Sequence, residues 1–179
     1  MIIEETRGIA MNHLERLIAQ DYEWRGYIVR TNTLVGRRPQ GGYECELDIC
    51  AYHPETHHLV HIEPSLDADP WEKRERRFAK KFNAGSKHIK STVFPWLNSS
   101  DHPIDQIAVL IASSRNHATL AGGRVVNLDE MVGEIRRRII ATGVMSKNAI
   151  SERFDLLRTM QLVFCGYYRI AKTDAEARK

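Results

Sequence analysis

Hydrophobic positions follow two periods along this chain, and the switches between them set out the elements. Ala10, Leu14, Leu17 and Ile18 recur at helical spacing, which predicts an amphipathic helix over roughly 7–21. Gly26 follows, and the segment 27–35 (YIVRTNTLV) is rich in strand formers. The cluster GRRPQGG at 36–42 predicts a turn. YECELDICAY (43–52) and LVHIE (59–63) alternate with the period of two expected of strands with one buried face, and HPETHH (53–58) is the turn between them. Three strands on short loops predict an antiparallel meander.

A second helix is announced by Asp69-Pro70-Trp71-Glu72, with Asp as N-cap, Pro at the first helical position and Glu three residues after the cap. It is expected to run to about Ala84 and to stop at Gly85. Trp71, Phe78 and Phe82 form its apolar stripe. Segments 89–94 (IKSTVF) and 105–113 (DQIAVLIAS) read as further strands, and 121–130 as a turn, a short strand and a helix start. Helices are predicted over 129–142, stopped by Gly143, and over 147–165, with Ile150, Phe154, Leu157 and Met160 as candidate core. The tail 173–179 is expected to fray. The domain reading is a core over 1–128 with a helical extension over 129–179 packed on it as one globular unit.

Composition narrows the class. The 179 residues include 42% hydrophobic and 27% charged side chains, as a soluble globular protein does. No apolar run approaches the roughly 20 residues that span a bilayer, and the acidic MIIEETRG start has no signal-peptide h-region. Cys45, Cys50 and Cys165 are too few and scattered for a disulfide framework. A cytoplasmic protein with no membrane partner is expected. Charge is uneven: residues 1–68 are net −5, whereas 69–90 are net +5. An acidic region followed by a basic helix fits a metal site beside a surface for polyanions, but charge alone favours a solvated helix face beside ordinary loops.

Chemistry concentrates in the hairpin. If its strands pair symmetrically about 55–56, Cys50 faces His61 and Asp48 faces Glu63. Glu46, Asp48, Cys50, His61 and Glu63 then share one face, and Leu47, Ile49, Ala51, Val60 and Ile62 the core face. Opposed residues lie about 5 Å apart at Cβ. Two carboxylates that close repel unless something positive stands between them, and a divalent cation is the economical answer. The alternatives are a polar, solvated sheet face and, from His53, His57, His58, His61 and Cys50, a zinc site. His61 also reads as a proton shuttle or as a plain neighbour of Cys50.

The order of a helix bearing Glu15, a strand, a Gly-rich turn, Glu46-Leu47-Asp48, a hairpin, His61-Ile62-Glu63-Pro64-Ser65 and a helix resembles the PD-(D/E)XK nuclease superfamily over about residues 7–113. The resemblance implies an α+β restriction-endonuclease-like αβββαβ core, with a mixed sheet flanked by helices. It implies that Asp48 and Glu63 bind Mg²⁺ or Mn²⁺, that Glu15 is a helix-borne acid of the site, and that a phosphodiester is hydrolysed, DNA being the expected substrate. The motif's Lys should stand two residues after Glu63, where this chain has Ser65. Either the site is inactive and the module only binds nucleic acid or a protein, or a Lys from elsewhere acts. On a helical wheel Lys81 and Arg74 lie at the edge of the apolar stripe, with Lys73 and Lys80 nearer solvent, and Lys81 is the first choice. Arg37, Arg38, Lys73, Arg76, Arg77 and Lys80 are the candidate phosphate contacts, giving affinity without sequence information. The two C-terminal helices are candidates for a homodimer interface.

Overall fold

The structure, a computed structural model, describes residues 12–111, 117–143 and 145–165. Ala10 and the tail expected to fray lie outside these. The chain divides into two compact units, Met1–Met131 and Val132–Lys179, a boundary three residues beyond the expected one. No helix among the described residues is long and apolar enough to cross a membrane.

The first unit is α+β. Its elements are α1 (His13–Trp24), β1 (Ile28–Arg37), β2 (Tyr43–Tyr52), β3 (Leu59–Ser65), α2 (Trp71–His88), β4 (Ile104–Leu110), β5 (Thr119–Leu120) and β6 (Gly123–Asn127), before α3 (Leu128–Ala141) begins. They build an open, mixed six-stranded sheet in the order β1-β2-β3-β4-β6-β5. The pairs β1–β2, β2–β3 and β5–β6 are antiparallel, while β3–β4 and β4–β6 are parallel. Ala121 and Gly122, both at positive φ, make the two-residue turn that joins β5 to β6 with the twist of the strands.

Asn12 starts α1 through a capping box. Its side chain accepts from the Glu15 amide at 2.9 Å, and the Glu15 carboxylate accepts from the Asn12 amide at 3.2 Å. Helix α1 packs on β1 and β2, and α2 packs across β1 to β5. Strand β3 is buried along its whole length, so both of its faces are covered. This corrects the expectation of one solvated face, because the side bearing His61 and Glu63 lies under α2.

Three further departures have local causes. Gly85 does not stop α2. It lies inside the helix, where a Cβ would come within 2.3 Å of the His61 ring, so the residue is small because sheet and helix touch there. The β-branched run expected as a strand at 89–94 is instead a π-helical turn, Ile89–Val93, that continues α2, with the Phe94 amide donating to the Ile89 carbonyl at 2.8 Å. Its buried Ile89, Val93 and Phe94 pack with Leu47, Cys50 and Leu59. Leu47 was expected on the face opposite Cys50. Pairing of β1 with β2 lapses at Asn32, which has φ 48°, and strict alternation fails across that break.

The second unit holds the rest of α3, α4 (Met145–Asn148) and α5 (Asp155–Phe164). The single helix expected over 147–165 is broken because Gln161, fully buried, takes over backbone groups between the two pieces. It accepts from the Ile150 amide at 2.9 Å and donates to the Asn148 carbonyl at 2.9 Å and the Thr142 hydroxyl at 2.8 Å.

Two glycines test this reading in opposite directions. Gly85→Ala should destabilise the protein by about 2 kcal/mol, the cost of overpacking a filled interior. Gly133→Ala, in α3 where a Cβ would meet only the Arg137 guanidinium at 3.9 Å, should stabilise by about 0.5–1 kcal/mol. Urea denaturation measures both, and a neutral Gly85→Ala would show that the contact with His61 is not tight.

Candidate active site

The hairpin pairs Ile49 with Ile62, Cys50 with His61, Ala51 with Val60 and Tyr52 with Leu59, the symmetric register about 55–56. The ladder stops one residue short of Asp48. There the Glu63 side chain takes over, and its Oε1 accepts from the Asp48 amide at 3.2 Å. Both carboxylates then converge on one cation, and that cation belongs to the protein. The Lys81 ammonium, reaching from α2, donates to Asp48 Oδ1 and lies 2.5 Å from Glu63 Oε2, the second contact being ionic rather than an aligned hydrogen bond.

Burial decides the protonation states. Asp48 has its carboxyl pushed up to about 7, first by desolvation and then by Glu63, with Lys81 opposing. Glu63 is likewise raised by burial, against the pull of Asp48's hydrogen bond and Lys81. Burial works against the charge of Lys81, yet the Glu63 and Asp48 carboxylates outweigh it and hold the ammonium above its ordinary range. His61 is fully buried and pushed down to about 3 by desolvation and by Lys81, so it is neutral. Its Nε2 lies 2.7 Å from Glu63 Oε1 and donates to it. Its Nδ1 has no hydrogen-bond partner among the described residues and lies against Gly85.

Asp48, Glu63 and Lys81 line a cleft of about 330 Å³ together with Asn12, Ser65, Leu66, Asp67 and Arg77, while His61 lies behind it. Ser65, at the position where the resemblance expects Lys, accepts from Arg77 Nη2 at 2.7 Å. Arg77 also bonds Asp67 and, at 3.2 Å, Asp69. Asp69 therefore does not cap α2; it pairs with Arg77 and, at 2.8 Å, with Lys73. Of the basic residues named from the sequence, Lys81 and Arg77 face this cleft. Lys73, Arg76 and Lys80 are exposed along α2, and Arg37 and Arg38 are exposed at the end of β1. Arg74 is buried, with its guanidinium on the Asp67 carbonyl at 2.6 Å. Glu15 turns its oxygens to Asn12, and burial raises its carboxyl, with the Asp48 charge adding to the rise.

The other histidines do not converge. His57 bonds the Tyr52 hydroxyl and stacks on His102, while His58 bonds the Tyr27 hydroxyl. Among the described residues no three His, Cys, Asp or Glu side chains form a ready metal cage. Asn12 and Asp67 are cleft residues that the sequence reading passed over. The Asn-x-x-Glu pattern was the signal for the first, and an acid just ahead of a basic helix was the signal for the second. No protein-family model matches the chain, and no curated protein matches it in sequence.

The buried His61 gives a stability slope of known sign. Its folded-state pKa lies below the ordinary 6.5, so its contribution is whole above that value and is lost as the pH falls toward 3. Asp48 is raised, so its contribution is whole below 3.8 and is lost as the pH rises through about 7. NMR titration should find the His61 imidazole neutral down to pH about 4 and a carboxyl titrating near neutrality. An imidazole at position 61 that titrates near 6.5 would mean that the site is wetter than described.

Proposed function

We propose that the first unit is a metal-dependent nuclease of restriction-endonuclease-like build, hydrolysing phosphodiester bonds in nucleic acid, with DNA the expected substrate. The observation that carries this reading is the meeting of Asp48, Glu63 and Lys81 at one cleft. Two acids on adjacent strands and a Lys on the following helix answer the departure at Ser65. The element order α1-β1-β2-β3-α2-β4, with β3 and β4 parallel, agrees with the core that the resemblance implies.

The residues fit a divalent cation in one definite respect: two carboxylates already converge on a single positive charge. Asp48 and Glu63 would hold Mg²⁺ or Mn²⁺, with water and substrate oxygens completing the shell. Such an ion supplies an acidified water and screens the phosphate's charge. Lys81 would stabilise charge developing on the phosphate and orient the attacking water. His61, neutral and bonded to Glu63, fixes the direction of that carboxylate. A second reading, a module that binds nucleic acid without cutting it, is favoured by the same ion pairs, since Lys81 already neutralises the acids. Cleavage assays with Mg²⁺ and Mn²⁺ separate the two.

Thermal melts test the site directly. Millimolar Mn²⁺ should raise the melting temperature of the wild type by mass action. Asp48→Asn and Glu63→Gln should abolish both that rise and cleavage. Without metal, Asp48→Asn should melt near the wild type, whereas Glu63→Gln should melt lower because it weakens the buried partner of Lys81 and His61. Lys81→Ala should cut cleavage by about a hundredfold or more. It should also lower the metal-free melting temperature and enlarge the Mn²⁺-induced rise, since an internal competitor for the acids has gone. A wild type whose melting is indifferent to Mn²⁺ would defeat the metal-dependent reading.

A further inference from the structure

Arg77 stands four residues before Lys81 on α2, so both side chains leave the same face, about 6 Å apart along the helix axis. Lys81 meets the two acids, and Arg77 meets Ser65, two residues beyond Glu63 on β3. A polyanion laid along this face to put one phosphate at Asp48 and Glu63 brings a neighbouring phosphate to Arg77.

The guanidinium is not idle in the free protein. It holds Asp67, whose side chain is 59% exposed, and Asp69. A carboxylate and a phosphate offer an arginine the same forked arrangement of oxygens. The Arg77 hydrogen bond also holds the Asp67 carboxyl below its ordinary range, so Asp67 stays anionic. The contact is not what fixes the loop between β3 and α2. Arg74 binds the Asp67 carbonyl at 2.6 Å, and the Asp67 amide donates to the Ser65 hydroxyl at 3.3 Å. The backbone is thus held without the Asp67 carboxylate, which also accepts from the Ser65 hydroxyl at 3.2 Å and can leave Arg77 while the loop stays in place.

We propose that Arg77 grips the backbone phosphate next to the one being cut, and that Asp67 is a built-in competitor that occupies Arg77 until nucleic acid displaces it. This rests on the nuclease reading of the cleft and adds to it a phosphate-binding residue and an autoinhibitory contact. The ligand is the phosphodiester backbone, common to DNA and RNA. Arg77 touches substrate in this scheme, and Asp67 acts through Arg77.

The test is a double-mutant cycle on the full chain. Fluorescence anisotropy follows binding of a labelled single-stranded DNA, and of the RNA of the same sequence, in EDTA at low salt. Asp67→Asn should tighten binding about two- to fivefold, the worth of one exposed ion pair. Arg77→Ala should weaken it about tenfold or more, the worth of a charge-assisted contact. Arg77→Lys should fall between, keeping the charge and losing the fork. Asp67→Asn placed on Arg77→Ala should change nothing. Tightening of the same size in both backgrounds would make Asp67 a general repulsive charge and overturn the proposal. So would Asp67→Asn that weakens binding and lowers the melting temperature, as a loop staple would. Cleavage by the wild type in Mn²⁺ is measured alongside. If the wild type cuts and the cycle shows no coupling, the Arg77–Asp67 device alone is overturned. If it binds neither DNA nor RNA, the nuclease reading falls with it.

Discussion

The Lys81 ammonium sits between two carboxylates that would otherwise face each other across a hairpin inside the protein. Taking such charges out of water costs several kcal/mol per ion, and only close partners offset it. The fold supplies them from three elements. β2 brings Asp48, β3 brings Glu63, and α2 brings Lys81. The Asp48 amide and the neutral His61 ring complete the surroundings of Glu63. A hydrophobic trio of the same volume is often as stable as a buried ion cluster. Stability alone therefore does not account for the cluster.

The cluster also explains why α2 carries so much positive charge on so few turns. Three cations face inward, Arg74 to the Asp67 carbonyl, Arg77 to Ser65 and Asp67, and Lys81 to the acids, while Lys73, Arg76 and Lys80 remain outside. The inner three deal with defined oxygens at short range. The outer set adds a positive field that weakens with salt. Helical spacing sorts one basic segment into these two groups.

Much of this was legible in the sequence because it depends on short-range rules. A compact turn at 53–58 leaves one symmetric register, so the meeting of Asp48 with Glu63 follows from counting outward. The Trp71, Phe78 and Phe82 stripe fixes which way α2 faces, and with it the inward turn of Lys81. What escaped depends on packing between distant segments. Glu63 and His61 look like surface residues until a helix covers them. Ile89, Thr92 and Val93 favour a strand by their branching, yet burial beside Leu47 and Cys50 holds them in a π-helical turn. Gln161 breaks a helix by bonding to backbone eleven residues away, which no local pattern records. The alternation of β2 fails beside Asn32 of the neighbouring strand, whose positive φ interrupts the pairing without shifting its register.

Gly85 gives the site its scale. With no side chain there, the backbone of α2 lies directly against the His61 imidazole of β3, which a Cβ would meet at 2.3 Å. Lys81, one turn earlier on the same helix, inherits the spacing. Its reach to two carboxylates is thus set partly by an absence four residues away. A methyl group at position 85 would act as a shim, forcing the helix or the His61 ring to move without altering any group that makes an ionic contact. Residue 85 is therefore a control on charge separation, and variation there would tune the grip of Lys81 on the acids.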